Sequence, residues 1–272
     1  ERALRGERVT HEYALVHPSV QIIIDSRGSS NPAQYEILAE VIEHDDDTKK
    51  SRMYVHVGRY AILPVSNSVS AFARLYADRG LNEEIINNVF FHTIFREKQD
   101  AVRVPFMVYT RLQKAGVPMV FARYFGHEQK DIRGTAIAGG DSHLLKALLR
   151  DSAGVTYLPL PLIYDTHTRK PVEGLTVLPV DLNGNKKVND EEKFYDNVDD
   201  VIDELEISDA RERQNVPMAY LHLSVDRKTA SAEAVAFLKW VHENGQKALR
   251  QFGFLKPEGK HADDFAAGGE RQ

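Results

Sequence analysis

Short runs rich in Val, Ile and Tyr alternate along this chain with segments of helical periodicity. Each run is about five residues long and is bounded by turn residues, a pattern that predicts β-strands. Strands interleaved with helices can bury both faces of a sheet, so the sequence predicts an α/β fold. The predicted strands are Val20–Ile24, Met53–Val57, Tyr60–Val65, Val104–Tyr109, Met119–Tyr124, Val155–Leu160, Leu175–Val180 and Met218–Val225.

The predicted helices lie between these strands, and two of them begin at typical N-cap residues. Ser70 precedes an amphipathic segment that ends at Gly80, and Asn82 precedes the next. Leucines at helical spacing follow the segment Gly139–Ser142, which predicts a third helix. Two further helices are predicted from Phe194, Val198, Val201, Ile202 and Leu205, and from Val235, Leu238 and Val241.

Composition excludes several classes of function. The 272 residues include no cysteine, so disulfide frameworks, thiolate metal sites and cysteine nucleophiles are ruled out. A formal net charge of -5 gives no electrostatic reason to expect nucleic acid or a membrane surface as a partner. The sequence has no run of about 18 apolar residues, no P-loop and no nucleophile-elbow motif. We therefore expect a protein that is not an enzyme and has no membrane span.

Four segments, taken in their order and spacing, resemble one known family. The last of them is the most specific, because its Gly-Gln-Lys helix junction and final Gly-aromatic pair keep the spacing of that family. The segments resemble the phosphate-type class of periplasmic binding proteins, which serve bacterial ABC importers. The four segments are Val57–Asn67; Arg111–Val117 with Phe121 and Tyr124-Phe125; Gly139–Ser142 with Gly154–Tyr157; and Phe237–Trp240 with Gly245–Lys247 and Phe252–Phe254.

The resemblance implies a two-lobed, periplasmic-binding-protein-like α/β fold with an interlobe cleft. Residues 1–71 would begin lobe 1, residues 72–164 would form lobe 2, and residues 165–256 would return to lobe 1, with an acidic insertion at about 181–210. It also implies a periplasmic or other extracytoplasmic location and an ABC permease as partner. Because the sequence begins at Glu1 and not at Met, one interpretation is that an export segment has been removed. Residues 257–272 are rich in Gly, Ala and charge, which predicts disorder.

An oxyanion site needs converging hydrogen-bond donors, and three places in the sequence offer them. N–H groups at a helix N-terminus are unpaired and lie at the positive end of the helix dipole, and an Arg adds a charged fork of donors. The candidates are Gly28-Ser29-Ser30, Gly140-Asp141-Ser142 and Arg111. Each has a plainer alternative: a Gly-Ser turn, an N-cap without a ligand, and a surface or ion-paired Arg.

The resemblance adds four more ligand-binding candidates, which are Asn67, Ala115, Gly116 and Val117. In the family, Arg is followed after three residues by Ser-Gly-Thr, whose hydroxyls donate to phosphate. Ala115 and Val117 occupy those two positions here, and each missing hydroxyl removes a bond worth about 1.5–3 kcal/mol to a charged partner. Two hypotheses therefore stand: capture of phosphate or a related small inorganic oxyanion for an importer, or a binding fold used as a calcium-stabilised surface or interaction protein.

Residues 181–192 resemble the calcium-binding loop of an EF-hand. Short oxygen-bearing side chains alternate in it, as a cation that takes 6–8 oxygen ligands requires. Lys186 stands at loop position six, where a glycine normally makes the turn. The sequence thus predicts no required cofactor and a structural calcium site of weak affinity; the alternative is a loop of Asx turns. The candidate ligands are Asp181, Asn183, Asn185, the carbonyl of Lys187, and Glu192.

Overall fold

The computed structural model describes residues 13, 15–19, 38–41, 52–91, 104–207, 216–244 and 249–256. The predicted strand Val20–Ile24, the candidate turn Gly28-Ser29-Ser30 and the tail at 257–272 lie outside these residues. The chain divides into two compact units: a smaller one of Glu1–Arg59 and Tyr220–Gln272, and a larger one of Tyr60–Ala219. The bounds of these units differ from those implied for the lobes, and the lobe assignment stays a prediction.

Strands and helices alternate through the part of the chain that the structure describes, which confirms the predicted α/β class. The strands are β1 (Leu38–Val41), β2 (Arg52–Asn67), β3 (Met107–Arg111), β4 (Thr135–Ile137), β5 (Gly154–Pro159), β6 (Leu175–Val177) and β7 (Met218–Asp226). The helices are α1 (Ala71–Arg79), α2 (Glu83–Phe90), α3 (Gly116–Tyr124), α4 (Asp141–Arg150), α5 (Leu160–Ile163), α6 (Val198–Ile207) and α7 (Ala232–Asn244). Three 3₁₀ turns are described, at Gln129–Asp131, Asp190–Glu192 and Arg250–Phe252. None of the described helices is long and apolar enough to cross a membrane.

The larger unit is built on a mixed sheet. Strand β3 pairs in parallel with β4 on one side and with β5 on the other. Strand β5 also pairs antiparallel with the C-terminal part of β2, and β6 joins the end of β2, again antiparallel. Every residue of β5 is buried, as expected for a central strand covered on both faces.

The smaller unit packs helix α7 against antiparallel strands. Strand β1 pairs with β7, and β7 lies beside β2. Helix α7 buries Ala234, Phe237, Leu238 and Val241, which recur at helical spacing and form one apolar stripe. That stripe joins the core around Val55, Val57 and Val225.

The two predicted strands Met53–Val57 and Tyr60–Val65 form one continuous strand, β2. Gly58 breaks the sequence pattern because another segment approaches it, not because the chain turns. A Cβ at Gly58 would lie 3.1 Å from Leu249 Cδ1 and 3.3 Å from the carbonyl oxygen of Leu255. Arg59 and Leu255 exchange backbone hydrogen bonds of 3.2 and 2.8 Å at the same place. The glycine therefore permits a close backbone contact within the smaller unit.

The predicted strand Met119–Tyr124 is wrong, because these residues lie in helix α3. Pro118 fits the first turn of the helix, where its missing N–H group has no intrahelical acceptor to lose. Val117, Phe121 and Ala122 are buried while Tyr124 is exposed, which is a helical period and not the alternation of a strand. The apolar and aromatic composition of the run concealed that period.

The predicted N-caps of α1 and α2 are confirmed. Ser70 Oγ accepts a hydrogen bond of 2.7 Å from the Ala73 N–H group, and Asn82 Oδ1 accepts one of 2.9 Å from Ile85. Each cap satisfies an N–H group that the helix itself cannot pair.

Candidate anion site

Two helices of the larger unit begin at the same edge of its parallel strands. Helix α3 follows β3, and helix α4 follows β4, each through a short loop. Because β3 and β4 are parallel neighbours, their carboxyl ends lie side by side, and so do the loops that leave them. Such an edge is where open α/β sheets usually bind ligands. Arg111 is the last residue of β3 and therefore lies there too.

Helix α3 begins without a side-chain cap. Ala115 occupies the N-cap position in extended conformation, and its methyl group has no acceptor to offer. Gly116 and Val117 provide the first two N–H groups of the helix, which point away from its body along the axis. Val117 is only 5% exposed. It therefore packs in the core, at the position where the family that the sequence resembles has a threonine hydroxyl.

Helix α4 begins at Gly140, which lies in extended conformation at the N-cap. The Gly140 N–H group donates to Nδ1 of His143 at 3.3 Å, so the imidazole of His143 closes the start of its own helix. This bond requires the proton of a neutral ring to be on Nε2. Ser142 is exposed in the first turn. A Cβ at Gly139 would lie 2.8 Å from His143 Nδ1, which shows how closely the ring covers this loop.

Arg111 joins the end of β3 to the start of α4 through two side-chain contacts. Its Nε donates to the carbonyl oxygen of Gly139 at 3.0 Å, and Nη1 donates to Asp141 Oδ1 at 3.1 Å. Asp141 is 2% exposed and the Arg111 side chain 16%, so the ion pair is largely shielded from water. In this structure Arg111 is ion-paired, as the plainer alternative for this residue predicts. A guanidinium has five N–H donors, and these two contacts use two of them.

A neutral hydrogen-bonded pair lies next to the ion pair. The hydroxyls of Thr110 and Tyr157 are 2.6 Å apart, and both residues are buried. Burial raises the pKa of Tyr157 well above its ordinary value, and the nearby Asp141 carboxylate raises it further. The phenol therefore stays neutral and contributes a fixed dipole instead of a charge.

Asn67 is placed elsewhere. Its Nδ2 donates to the carbonyl oxygens of Leu148 and Leu149 at 3.2 and 3.3 Å, and its Oδ1 accepts from the Val69 N–H group at 3.1 Å. Leu148 and Leu149 lie in the last turn of α4, at the opposite end of the helix from Gly140. The structure thus brings Arg111, Ala115–Val117 and Gly140–Ser142 to one edge and leaves Asn67 apart from them. A ligand-binding role for each stays a prediction.

Gln129 also belongs to this edge, although it was not predicted from the sequence. Its side chain reaches back to the loop between β3 and α3, where it contacts Arg111, Gln113 and Ala115. A single polar residue in a 3₁₀ turn carries no periodic signal, and its partners lie 14–18 residues earlier in the chain. Only the folded chain brings them together.

The loop proposed to bind calcium is held by its own carboxylates. Asp181 accepts from the N–H groups of Asn185 and Lys186 at 3.2 and 2.6 Å. Glu192 accepts from Leu182 and Asn183 through Oε1 and from Asn189 through Oε2. Both carboxylates are buried, Asp181 to 1% exposure and Glu192 to 6%. The Asx turns of the alternative interpretation are present as well: Asn183 Oδ1 and Asn185 Oδ1 each accept from the N–H group two residues on, at 3.0 and 2.9 Å.

Lys186 adopts the backbone conformation that the EF-hand pattern reserves for glycine at position six. Its φ angle is 72°, in the left-handed region that a side chain makes unfavourable. Among the residues that the structure describes, no group of three or more His, Asp or Glu side chains could hold a metal ion. Among the candidate side-chain ligands, Asp181 and Glu192 are carboxylates, and Asn183 and Asn185 are amides. Structural calcium stays a prediction.

Substrate-binding, transport-receptor and regulatory proteins are among the solved structures with a similar fold. A candidate phosphate ABC transporter substrate-binding protein from Clostridium perfringens, solved with bound phosphate, has a TM-score of 0.62 at 13% identity, covering 94% of this chain and 96% of its own. An ABC-type phosphate transport receptor from Vibrio cholerae has a TM-score of 0.58 at 14% identity, with coverage of 94% and 96%. The regulatory domain of MetR, a LysR family regulator from N. meningitidis, has a TM-score of 0.51 at 8% identity, with coverage of 94% and 94%.

No protein-family model matches the chain, and no curated protein sequence matches it. At identities of 8–14% the likeness to the solved structures concerns the fold alone. The predicted fold is thereby confirmed: this chain has the α/β fold of the periplasmic-binding-protein type.

Proposed function

We propose that this chain is a solute-binding protein that captures phosphate or a related small oxyanion. The observation that carries the proposal is the position of two helix N-termini, those of α3 and α4, at the carboxyl edge of the neighbouring strands β3 and β4, where Arg111 contacts the start of α4. Helix N-termini bind anions through unpaired N–H groups and the positive end of the dipole. Two solved proteins of similar fold are named for phosphate transport, which supports the same ligand class.

The charge of this edge suits a small anion. Asp141 balances the charge of Arg111, so the pair contributes no net charge. Each helix N-terminus contributes roughly half a positive charge. The remaining attraction therefore comes from backbone dipoles and from the unengaged N–H groups of the guanidinium, which favours a compact ligand with several acceptor oxygens over an extended polyanion.

We propose that this chain serves an importer and that its partner is an ABC permease. A solute-binding protein of such an importer works outside the cytoplasm, so we also propose an extracytoplasmic location. The proposed activity is binding without chemistry. The neighbours named for phosphate transport are binding proteins too, and the MetR domain is regulatory.

A second candidate function is supported by a different observation. Ala115 has no hydroxyl, Val117 is buried, and Asp141 already occupies one side of Arg111. Each of these features removes a donor from an anion at this edge. They favour a binding fold that has lost its solute and serves as a surface or interaction protein, with calcium as a stabilising ion.

Isothermal titration calorimetry separates the two functions. The full chain is titrated with inorganic phosphate, sulfate and acetate at one pH and one ionic strength. Saturable binding of at least one of these anions is expected. An absence of heat with all three would reject solute capture and favour the interaction protein.

A further inference from the structure

Gln129 holds the loop between β3 and α3 at three points. Its Nε2 donates to the carbonyl oxygen of Gln113 at 2.9 Å and to that of Arg111 at 3.4 Å. Its Oε1 accepts from the Ala115 N–H group at 3.2 Å. One side chain therefore fixes the beginning, the middle and the end of this loop, and α3 starts directly after the last of these contacts.

Gln129 is itself held in place by a closed turn. It begins the 3₁₀ turn Gln129–Asp131, in which the Glu128 N–H group donates to Asp131 Oδ2 at 2.8 Å. The N–H groups of Asp131 and Ile132 donate to the carbonyl oxygens of Glu128 and Gln129 at 2.9 and 3.2 Å. A turn closed in this way presents the amide of Gln129 in one direction.

Gln113 connects the loop before α3 with the loop before α4. Its Oε1 accepts from the Gly139 N–H group at 3.2 Å, while Arg111 Nε donates to the carbonyl oxygen of the same glycine. Both polar backbone groups of Gly139 are thus bound by the preceding loop. Gly139 has a φ angle of 101°, a conformation that glycine adopts without strain. The position of this glycine sets where α4 begins.

We propose that Gln129 and Gln113 are positioning residues that hold the N-termini of α3 and α4 as one frame of N–H donors for the anion. This role rests on the proposed function: the two glutamines keep the N–H donors of the site ordered before an anion binds. The glutamines act through the backbone of the two loops and need not touch the ligand. If these N–H donors are already ordered in the free protein, no free energy is spent on ordering them when the anion binds.

Removing the amide of Gln129 should weaken binding without unfolding the protein. Gln129→Leu keeps the approximate size of the side chain and removes all three bonds. Fixing the backbone of a single residue costs about as much free energy as a tenfold change in affinity. We expect phosphate to bind Gln129→Leu about tenfold more weakly, with a less favourable binding entropy. Gln113→Leu should weaken binding in the same direction, because it releases the Gly139 N–H group.

Tyr109→Phe provides the matched control on the same strand. It removes the 2.8 Å hydrogen bond from the Tyr109 hydroxyl to Asp151, a contact that involves neither loop. The full-length parent, Gln129→Leu and Tyr109→Phe are titrated with inorganic phosphate, and the melting temperature of each is measured. Amide hydrogen exchange of residues 111–116 is followed in the same three proteins.

The results separate a positioning role from a general loss of stability. The inference is supported if Gln129→Leu binds more weakly and exchanges faster at 111–116, while Tyr109→Phe keeps the affinity of the parent at a similar melting temperature. It is overturned if the parent binds phosphate and Gln129→Leu binds it equally tightly, in which case the proposed function stands. If the parent binds none of phosphate, sulfate and acetate, the proposed function is rejected and the inference with it.

Discussion

At the residue scale, Gly140 is the position at which anion binding and helix stability can be set against each other. It lies at the N-cap of α4 with a φ angle of -87°, and a Cβ there would meet no atom within 4 Å. Gly140→Asp should therefore fit, cap the helix and raise stability by a few tenths of a kcal/mol. The new carboxylate would face a bound anion at a cost of about 4 kcal/mol at close range, so phosphate affinity should fall by at least about 100-fold.

Ser231→Asp is the control for the change at Gly140. Ser231 Oγ accepts from the Ala234 N–H group at 3.0 Å at the start of α7, so the substitution adds the same charge at another capped helix. Calorimetry should show parental phosphate affinity for Ser231→Asp and an affinity at least about 100-fold lower for Gly140→Asp, with both melting temperatures at or above that of the parent. Unchanged affinity in Gly140→Asp would place the anion elsewhere.

Lys186 carries backbone strain that a second substitution can measure. Its φ of 72° costs a non-glycine residue about 1–2 kcal/mol. A glycine avoids this cost, but part of the gain in stability is lost because glycine gives the unfolded chain more conformational freedom. Lys186→Gly should therefore raise stability by about 0.5 kcal/mol in urea unfolding. Lys186→Ala removes the same side chain but keeps the strain, so it should match the parent. Equal stabilities of the Gly and Ala variants would show that the loop carries no strain there.

At the element scale, helix α4 is held at both ends by side chains from outside it. Arg111 binds Asp141 at the first turn, and the amide of Asn67 binds the carbonyl oxygens of Leu148 and Leu149 in the last. Asn67 is buried, so Asn67→Leu would leave these carbonyls and the Val69 N–H group without this partner. We expect a loss of about 2 kcal/mol in the free energy of unfolding, measured in urea.

Asn67→Asp tests which half of the amide matters. An aspartate keeps an acceptor for the Val69 N–H group, but its charge faces the two carbonyl oxygens that the Asn67 amide now contacts. We expect it to be at least as destabilising as Asn67→Leu near neutral pH. A stability close to that of the parent would mean that the bonds to the end of α4 contribute little.

Elements were predictable from the sequence where local chemistry alone determines them. Ser70 and Asn82 mark the starts of α1 and α2 because the cap and its acceptor lie within one turn. Residues 119–124 of helix α3 are predicted as a strand because Met119, Val120 and Phe121 suit either structure, and burial decides between the two. Strands β1 and β4 were not predicted, because they have only four and three residues; the equally short β6 was predicted only as part of the longer apolar run Leu175–Val180.

At the scale of the whole molecule, the sequence indicated the fold better than the details of the site. Residue types suited to anion binding were identified at Arg111 and Gly140–Ser142, and the topology brings them to one edge. An ion-paired Arg111 was one alternative from the sequence, but its partner Asp141 and the contacts of Gln129 were not predicted, because they join segments that are distant in sequence. The spacing of residues along the sequence does not predict such contacts before the pairing of the strands in the sheet is known.

Calcium binding would act on the stability of the folded chain as a whole. An ion bound only by the folded state raises stability by about 2.7 kcal/mol when its concentration is 100 times the dissociation constant. Glu192 Oε2 accepts one N–H bond and keeps a further lone pair for an ion, while Glu192 Oε1 already accepts two N–H bonds. The parent protein should melt at a higher temperature in millimolar calcium than in chelator.

The ligand variants must be interpreted with the hydrogen bonds of the loop in mind. Asp181→Ala also removes the acceptor for the N–H groups of Asn185 and Lys186, so it should lower the melting temperature even in chelator. Calcium binding is therefore supported if the variant melts at the same temperature in calcium as in chelator. A lower melting temperature of the variant does not by itself support calcium binding. Magnesium serves as the ionic control, since it prefers a rigid octahedral site. Identical melting of the parent in calcium and in chelator would leave residues 181–192 as a loop closed by its own carboxylates.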